Sequence, residues 1–365
     1  MKEYKYAYFG KSFMMIGRSL ERCFNCAYCR ANDGCKMSYF LMPDSINPAF
    51  KNIPVAVNCF YGDPMLQVDE TIHMLETLEA HGHKGPVIII TKGNLKLFYE
   101  KTKHRKFDLD IHFGIFTFGA DCLQYDPRSF SDFRNNMDVA SKMPYHYSVE
   151  FRPIIRNVND DINSFSRVVD VAREHNTGIG YCGLQMSDNL KGRLDAAGIH
   201  FESYDGHKFG LKKYVGRDID AEFRKICQSN SVPVFRKTSC LIAWKHGLDR
   251  DPNAHYYRPN EVGCAECPLK EKCQSFKNNL SDTDISAVIP FDYEIEEKTN
   301  HECGLFKLGV CKFPSADCRN ISGKLIKIDD EITTTDVRLI KWLTGYTVDA
   351  TFIESPYCSD KWVVR

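Results

Sequence analysis

Short apolar runs alternate with amphipathic stretches along the first half of the chain. Val55-Ala56-Val57-Asn58-Cys59-Phe60 precedes the turn signal Gly62-Asp63-Pro64, and Val68, Ile72, Leu75 and Leu78 then recur at intervals of four, three and three. The run predicts a buried strand, and the spacing predicts a helix that stops near Gly82. Val87 to Ile90 is a second such run, closed by Thr91-Lys92-Gly93-Asn94 and followed by a shorter helix. Ile111 to Phe116 is a third, and the helix after it carries Phe130, Phe133, Met137 and Ala140, with Ser129 or Ser131 as its cap. Tyr147 to Ile155 is another strand. Asp160 is the expected cap of a helix with Ile162, Phe165, Val169 and Ala172 on one face. After Gly178, Ile179 to Leu184 forms a sixth strand, counting a first one at Ser12 to Ile16.

Strands that are apolar throughout, rather than alternating, are buried on both faces. They predict a parallel sheet wrapped by helices, in the α/β class. In barrels of this kind the chemistry gathers where the strands end. Gly62-Asp63-Pro64, Thr91-Lys92-Gly93, Thr117 and the segment after Ile155 all fall on that rim. Beyond about residue 215 the rhythm breaks. A helix is expected over Ile219 to Gln228, then Val232-Pro233-Val234-Phe235, a cysteine-bearing stretch from Cys240 to Cys273, and a polar, acidic linker over 277–300. The last 65 residues carry a helical stretch, Thr335 to Leu343, and a β-rich tail. The expected domains are 1–215, 216–285 and 286–365, and there is no internal repeat.

Composition narrows the class. Of 365 residues, 43% are hydrophobic and 12% aromatic, enough for a packed core. Lys plus Arg equals Asp plus Glu at 48 each, so net charge supplies no argument for nucleic acid or membrane. The first 22 residues hold five basic and two acidic side chains among tyrosines and phenylalanines, which reads as an ordinary strand with solvated lysines. Met1-Lys2-Glu3-Tyr4-Lys5 leads into no apolar stretch, so no secretory signal is read. Sixteen cysteines without one point to a reducing, cytoplasmic setting where thiols bind metals.

The cysteines cluster most tightly in Arg22-Cys23-Phe24-Asn25-Cys26-Ala27-Tyr28-Cys29. Neighbours this close cannot pair without strain, but one short loop can present several sulfurs to one metal centre. Three thiolates on an iron–sulfur cube leave one iron open, which makes a reactive site. A ferredoxin-like run that adds Cys35 and a structural zinc are the alternatives.

Cys26-Ala27-Tyr28-Cys29 resembles the Cys-x-aromatic-Cys ending of the radical S-adenosylmethionine (radical SAM) superfamily, and Gly62-Asp63-Pro64 resembles its Gly-Glu-Pro element. Gly114-Ile115-Phe116-Thr117, Tyr125-Asp126-Pro127-Arg128-Ser129 and the stretch from Phe151 to Asp160 are similar to the branch containing spore photoproduct lyase. The likeness spans residues 12 to about 190. The first cysteine interval has two residues where the superfamily usually has three. The resemblance implies a partial (β/α)6 TIM-like barrel, a [4Fe-4S] cluster on Cys23, Cys26 and Cys29, and bound S-adenosylmethionine. One-electron cleavage would give a 5′-deoxyadenosyl radical that abstracts hydrogen from substrate. It further implies that Gly62, Asp63 and Pro64 hold the methionine amino group, that Thr91, Thr117 and Arg152 serve the ribose and carboxylate, and that Tyr28 and Leu184 flank the adenine. Thr117 could instead simply end its strand, and Arg152 could pair with Glu150 or Asp160. Cys59 stands close to where that branch places a hydrogen-donating cysteine, although a buried core thiol is the commoner role.

A second group, Cys264-Ala265-Glu266-Cys267 and Cys273 with Cys240 available, resembles the auxiliary-cluster extension of peptide-modifying radical enzymes, except that position 277 is Lys. It implies a second [4Fe-4S] cluster, with zinc as the alternative. Cys303, Cys311, Cys318 and Cys358, with His301, match no compact motif and read as scattered core thiols. His81, His83, His246 and His255 read as surface or satisfied core residues. A reductant protein such as flavodoxin or ferredoxin is the expected partner, and no membrane is. The substrate is a nucleic acid or nucleotide by one resemblance and a peptide by the other. A non-catalytic iron–sulfur carrier or zinc-ribbon module is the competing class.

Overall fold

The computed structural model describes residues 8–9, 14–16, 24, 26–29, 54–57, 62–184, 188–196, 215–248, 266–278, 293–301, 321–333, 340 and 347–353. The main sheet has eight strands: β1 (Tyr8–Phe9), β2 (Met14–Ile16), β3 (Val55–Val57), β4 (Val87–Thr91), β5 (Ile111–Thr117), β6 (His146–Ile154), β7 (Ile179–Gly183) and β8 (Val234–Phe235). They lie side by side in chain order. β1 pairs antiparallel with β2, and every pairing from β2 to β8 is parallel. The helices between them are α1 (Val68–Ala80), α2 (Lys96–Thr102), α3 (Phe130–Ala140), α4 (Ile162–Glu174), α5 (Asp188–Ala196) and α6 (Arg217–Ser229). Right-handed crossovers that always advance in one direction wind their helices onto one face. The result is a partial, open TIM-like barrel, with β1 and β8 at its two edges among the described residues.

Alternation along the strands separates the two faces. Val55, Val57, Val87, Ile89, Phe113, Ile115, Val149, Phe151, Ile179 and Tyr181 pack with the helices in the main core. Phe151, Phe165 of α4 and Phe223 of α6 meet edge to face or tilted at 4.8–6.0 Å, the geometry aromatic quadrupoles favour. Ala56, Ile88 and Ile90 point the other way and pack with Ile242 of α7 (Thr238–Lys245). α7 therefore covers the inner face of the sheet. Glu150 crosses that face between two glycines. A Cβ on Gly114 would lie 3.0 Å from its Cγ, and one on Gly180 would lie 2.9 Å from its Oε2.

The six expected strands are all present. β1 and β8 are additional, each two residues long and too short to carry a readable period. α6 and the segment leading to β8 also bring Phe223, Cys227 and Val232 into the main core, so its packing continues past residue 215. Burial pushes the Cys227 thiol up to about 12, as expected of an inert core sulfur. Ser129 caps α3 in a reciprocal box with Asp132.

Asp160 is not the cap of α4. Asp161 takes that place, accepting from Asn163 N and Ser164 N, while Asp160 accepts from Asn157 N and holds the preceding turn. The expected linker over 277–300 ends in a strand: β9 (Tyr293–His301), β10 (Ile321–Thr333) and β11 (Thr347–Ile353) form a separate three-stranded sheet. Within the second cysteine region, α8 (Lys270–Asn278) is described. The helix expected over Thr335 to Leu343 lies, except for Ile340, outside the described residues. No helix among the described residues is long and apolar enough to cross a membrane.

Candidate functional site

The carboxyl ends of β4 and β5 meet the cysteine loop, and the turn after β3 is tied to the end of β4 beside them. Gly62 has φ +87°, a conformation that suits glycine, and it turns the chain so that Pro64–Leu66 forms one 3-10 turn. Asp63 caps that turn and is buried. Its carboxylate accepts from Met65 N at 2.9 Å, Lys92 N at 2.8 Å and Gly93 N at 3.2 Å, and from the Thr91 hydroxyl. Burial raises its pKa and these donors pull it back. Asp63 thus ties the first rim turn to the next strand with its own side chain fully engaged. The carbonyls of Asp63 and Pro64 also have partners, in Leu66 N and in Gln67 N and Thr71 Oγ1.

Beside this tie stands Lys92, its side chain largely buried. Its ammonium lies 2.6 Å from Asp126 Oδ2, 2.6 Å from the Tyr28 hydroxyl and 3.0 Å from Cys26 Sγ. Tyr28 in turn donates to Asp126. The Lys92 ammonium also sits 4.3 Å from the centre of the Phe116 ring, so an aromatic face backs the charge. Burial opposes the Lys92 charge, but Cys26 and Asp126 more than offset it, and its pKa lies above the ordinary value. Burial pushes the Cys26 thiol up, against the pull of Lys92.

The loop itself is held by backbone bonds. Cys29 N donates to Cys26 O at 3.0 Å, Ala27 N donates to Tyr125 O at 3.0 Å, and Arg193 of α5 donates to Cys29 O at 2.8 Å. Tyr28 stacks on Phe118 at 5.5 Å with planes 6° apart, and both pack in one cluster with Cys26, Tyr125, Ile155 and Leu184. A small cavity beside them is lined by Lys92, Phe116, Thr117, Asp126 and Arg128, among others.

Of the residues expected at the site, Cys26, Cys29, Tyr28, Asp63, Thr91 and Leu184 are brought together at this rim. Thr117 ends β5, where its hydroxyl accepts from Gly119 N at 3.0 Å, so its observed bond is a turn-closing one. Arg152 is drawn inward, paired with the Glu150 carboxylate and donating to Thr238 Oγ1 at 2.6 Å. Cys23, Cys59 and Cys264 lie outside the described residues. Cys267 and Cys273 belong to a small apolar cluster with Ala243 and Leu269, and Cys240 lies on α7.

Lys92 and Asp126 were not singled out from the sequence as site residues. One follows Thr91 and the other lies in Tyr125-Asp126-Pro127, and their separation of 34 positions carries no local signal. The donor set nonetheless suits an iron–sulfur cluster. Two cysteines project from a backbone-fastened loop, and a buried ammonium stands at hydrogen-bond distance from one sulfur, where it matches a thiolate.

Fold and site together define an α/β protein with an open parallel barrel and a cysteine–lysine–aspartate site at its carboxyl rim. No family model and no curated protein matches the chain. Among solved structures it is similar to a radical SAM methyltransferase from Sphaerobacter thermophilus, at 12% identity and a TM-score of 0.42 over 62% of this chain and 67% of that one. A mutant of spore photoproduct lyase is similar at 13% identity and a TM-score of 0.41, over 56% and 69%. The structure titled native anSMEcpe with bound AdoMet and Kp18Cys peptide is similar at 15% identity and a TM-score of 0.39, over 65% and 66%.

Proposed function

We propose that the chain is a radical SAM enzyme whose cysteine loop, Cys23, Cys26 and Cys29, holds a [4Fe-4S] cluster over the carboxyl rim of the barrel. The observation that carries this reading is the Lys92 ammonium, 3.0 Å from Cys26 Sγ and 2.6 Å from Asp126. The ammonium pulls Cys26 towards the thiolate that a metal ligand must be, against the burial that raises this thiol overall. When bound, the reduced cluster with S-adenosylmethionine supplies a 5′-deoxyadenosyl radical for hydrogen abstraction. The cofactors carry that chemistry.

The chain's own residues bind, orient and exclude water. Asp63 holds the Gly62 turn against β4, which keeps the backbone of 62–64 facing the loop. In this reading Gly62, Asp63 and Pro64 border the methionine amino group, and because the Asp63 carboxylate and the Pro64 carbonyl already accept from the chain's own donors, the acceptors offered to it are the Gly62 carbonyl and the second lone pair of the Asp63 carbonyl. Thr91, Thr117 and Arg152 are proposed for ribose and carboxylate. Tyr28 and Leu184, which share one apolar cluster, are proposed to border the adenine. Cys59 is proposed as a hydrogen donor to a substrate radical. Cys240, Cys264, Cys267 and Cys273 are proposed to hold the second cluster, electrons come from a flavodoxin- or ferredoxin-class protein, and the substrate is a nucleotide-type or peptide-type molecule. The domain limits 1–215, 216–285 and 286–365 go with this assignment.

The test is anoxic reconstitution with iron and sulfide, followed by metal counts and electron paramagnetic resonance of the reduced protein. The wild type should bind four irons more than Cys26→Ala or Cys29→Ala, on the stoichiometry of one such cluster. S-adenosylmethionine should shift the resonance of the wild type. Zinc in place of iron on this loop, with no shift, would favour the zinc-ribbon reading.

A further inference from the structure

At the opposite end of the same strands lies a second group of titratable side chains. Asp110 and His112 stand where β5 begins, and His146 and Ser148 where β6 begins. His246 follows α7 directly, and its side chain is fully buried against them. One ligand atom each from Asp110, His146 and His246 lies within 4.8 Å of the other two. Six residues of strand separate this point from Thr117, roughly 20 Å at strand rise, so the group is distinct from the cysteine loop.

We infer that Asp110, His146 and His246 form a binding site for one zinc-class divalent transition metal, and that the ion fastens α7 to the amino-terminal end of the sheet. Two imidazoles and one carboxylate form a donor set that suits zinc and its neighbours, whereas calcium and magnesium prefer oxygen alone. Ligands at about 2.0–2.2 Å from a tetrahedral ion stand roughly 3.4 Å apart. Asp110 faces both imidazoles: its Oδ2 lies 2.6 Å from His246 Nδ1, a hydrogen-bond distance that a bound ion would widen, and its Oδ1 lies 3.7 Å from His146 Nε2. The side chains of Asp110 and His146 are 40% and 44% exposed, which leaves an entry path and room for a water as fourth ligand.

The surroundings orient the imidazole that matters most. His246 Nε2 is 3.0 Å from His112 Nδ1, and His112 Nε2 is 2.7 Å from Ser148 Oγ. If His246 donates through Nε2 and His112 donates on to Ser148, the His246 Nδ1 lone pair faces Asp110, where a cation completes the contact. This is the outer hydrogen bonding that ligating histidines ordinarily have. Ser148 is fully buried, so the Asp–His–His–Ser line does not serve as a nucleophile relay.

The site is independent of the cluster reading and is tested on the full chain after iron reconstitution, so that the cysteines are occupied. Zinc is added, excess is removed, and zinc and iron are counted for the wild type, His146→Gln and Asp110→Asn. The wild type should retain one zinc that both variants lose, with iron unchanged, and zinc should raise the melting temperature of the wild type only. Equal zinc and equal thermal response in all three would overturn the site. Cobalt serves as a second probe on the wild type alone, should either variant fail to fold. Ligand-field bands without thiolate charge transfer support a nitrogen–oxygen site, and a thiolate spectrum alone overturns it.

Discussion

Lys92 and Asp126, 34 residues apart in the chain, form an ion pair at 2.6 Å with 11% and 3% of their side chains exposed. The pair locks the end of β4 to the segment that also anchors the cysteine loop through Tyr125. Removing one member of a buried pair strands the other charge, at a cost of about 3–5 kcal/mol. Asp126→Ala should therefore lower the unfolding free energy by that amount, and Lys92→Met/Asp126→Ala together should lose less than the sum of the single changes. Urea unfolding of the three variants measures this. Strictly additive losses would mean that the two side chains do not act as a pair.

Gly93 sits in the tie around Asp63. A Cβ there would lie 2.7 Å from both Asp63 Oδ1 and Met65 Cβ, one of them a carboxylate fixed by four donors. Overpacking of this kind costs about 1–3 kcal/mol. Gly93→Ala should be destabilised by that much in urea, whereas Gly192→Ala, whose Cβ would meet nothing within 4 Å, should not be.

His83 is buried, and burial depresses its pKa from 6.5 to about 4. Between those values the unfolded chain binds the proton and the folded chain does not. Stability from this group is complete above about pH 6.5 and is lost as the pH falls towards 4. At 1.36 kcal/mol per unit, going from pH 7.5 to 5 should cost about 2 kcal/mol through His83. His112 and His146, also lowered, act in the same direction. His83→Leu should remove only its own share, so its unfolding free energy should fall about 2 kcal/mol less than that of the wild type over this range. Parallel pH profiles for the two proteins would contradict the assignment.

The cap of α4 offers a local comparison. Asp161→Ala should cost about 1 kcal/mol, because two helix N–H groups lose their acceptor. Asp160→Ala removes an acceptor for the Asn157 N–H in the turn before the helix, so it should leave the helix end intact in amide exchange.

These elements also mark what the sequence makes legible. Parallel-sheet strands such as β4, with its run from Val87 to Ile90, are apolar without interruption, and helices such as Phe130–Ala140 carry a cap and a regular apolar face, so both announce themselves locally. The cysteine loop is legible because three thiols within seven residues have few physical uses. Adjacent aspartates are not separable by type, so the choice between Asp160 and Asp161 is made by backbone geometry alone. Lys92, Asp126 and the Asp110–His146–His246 group depend on register between strands. Pairing of His112 with His146 across β5 and β6 is a tertiary fact that no window of residues contains. Val234–Phe235 became a strand only because β7 offers it an edge.

The central claim is that the cysteine loop holds a cluster that cleaves S-adenosylmethionine, and product formation tests it most directly. The reconstituted wild type, reduced without oxygen in the presence of S-adenosylmethionine, should form 5′-deoxyadenosine, detected by chromatography and mass spectrometry. Cys26→Ala and Cys29→Ala should form none. No 5′-deoxyadenosine from a wild-type protein that carries its full iron, or equal amounts from the cysteine variants, would contradict the account.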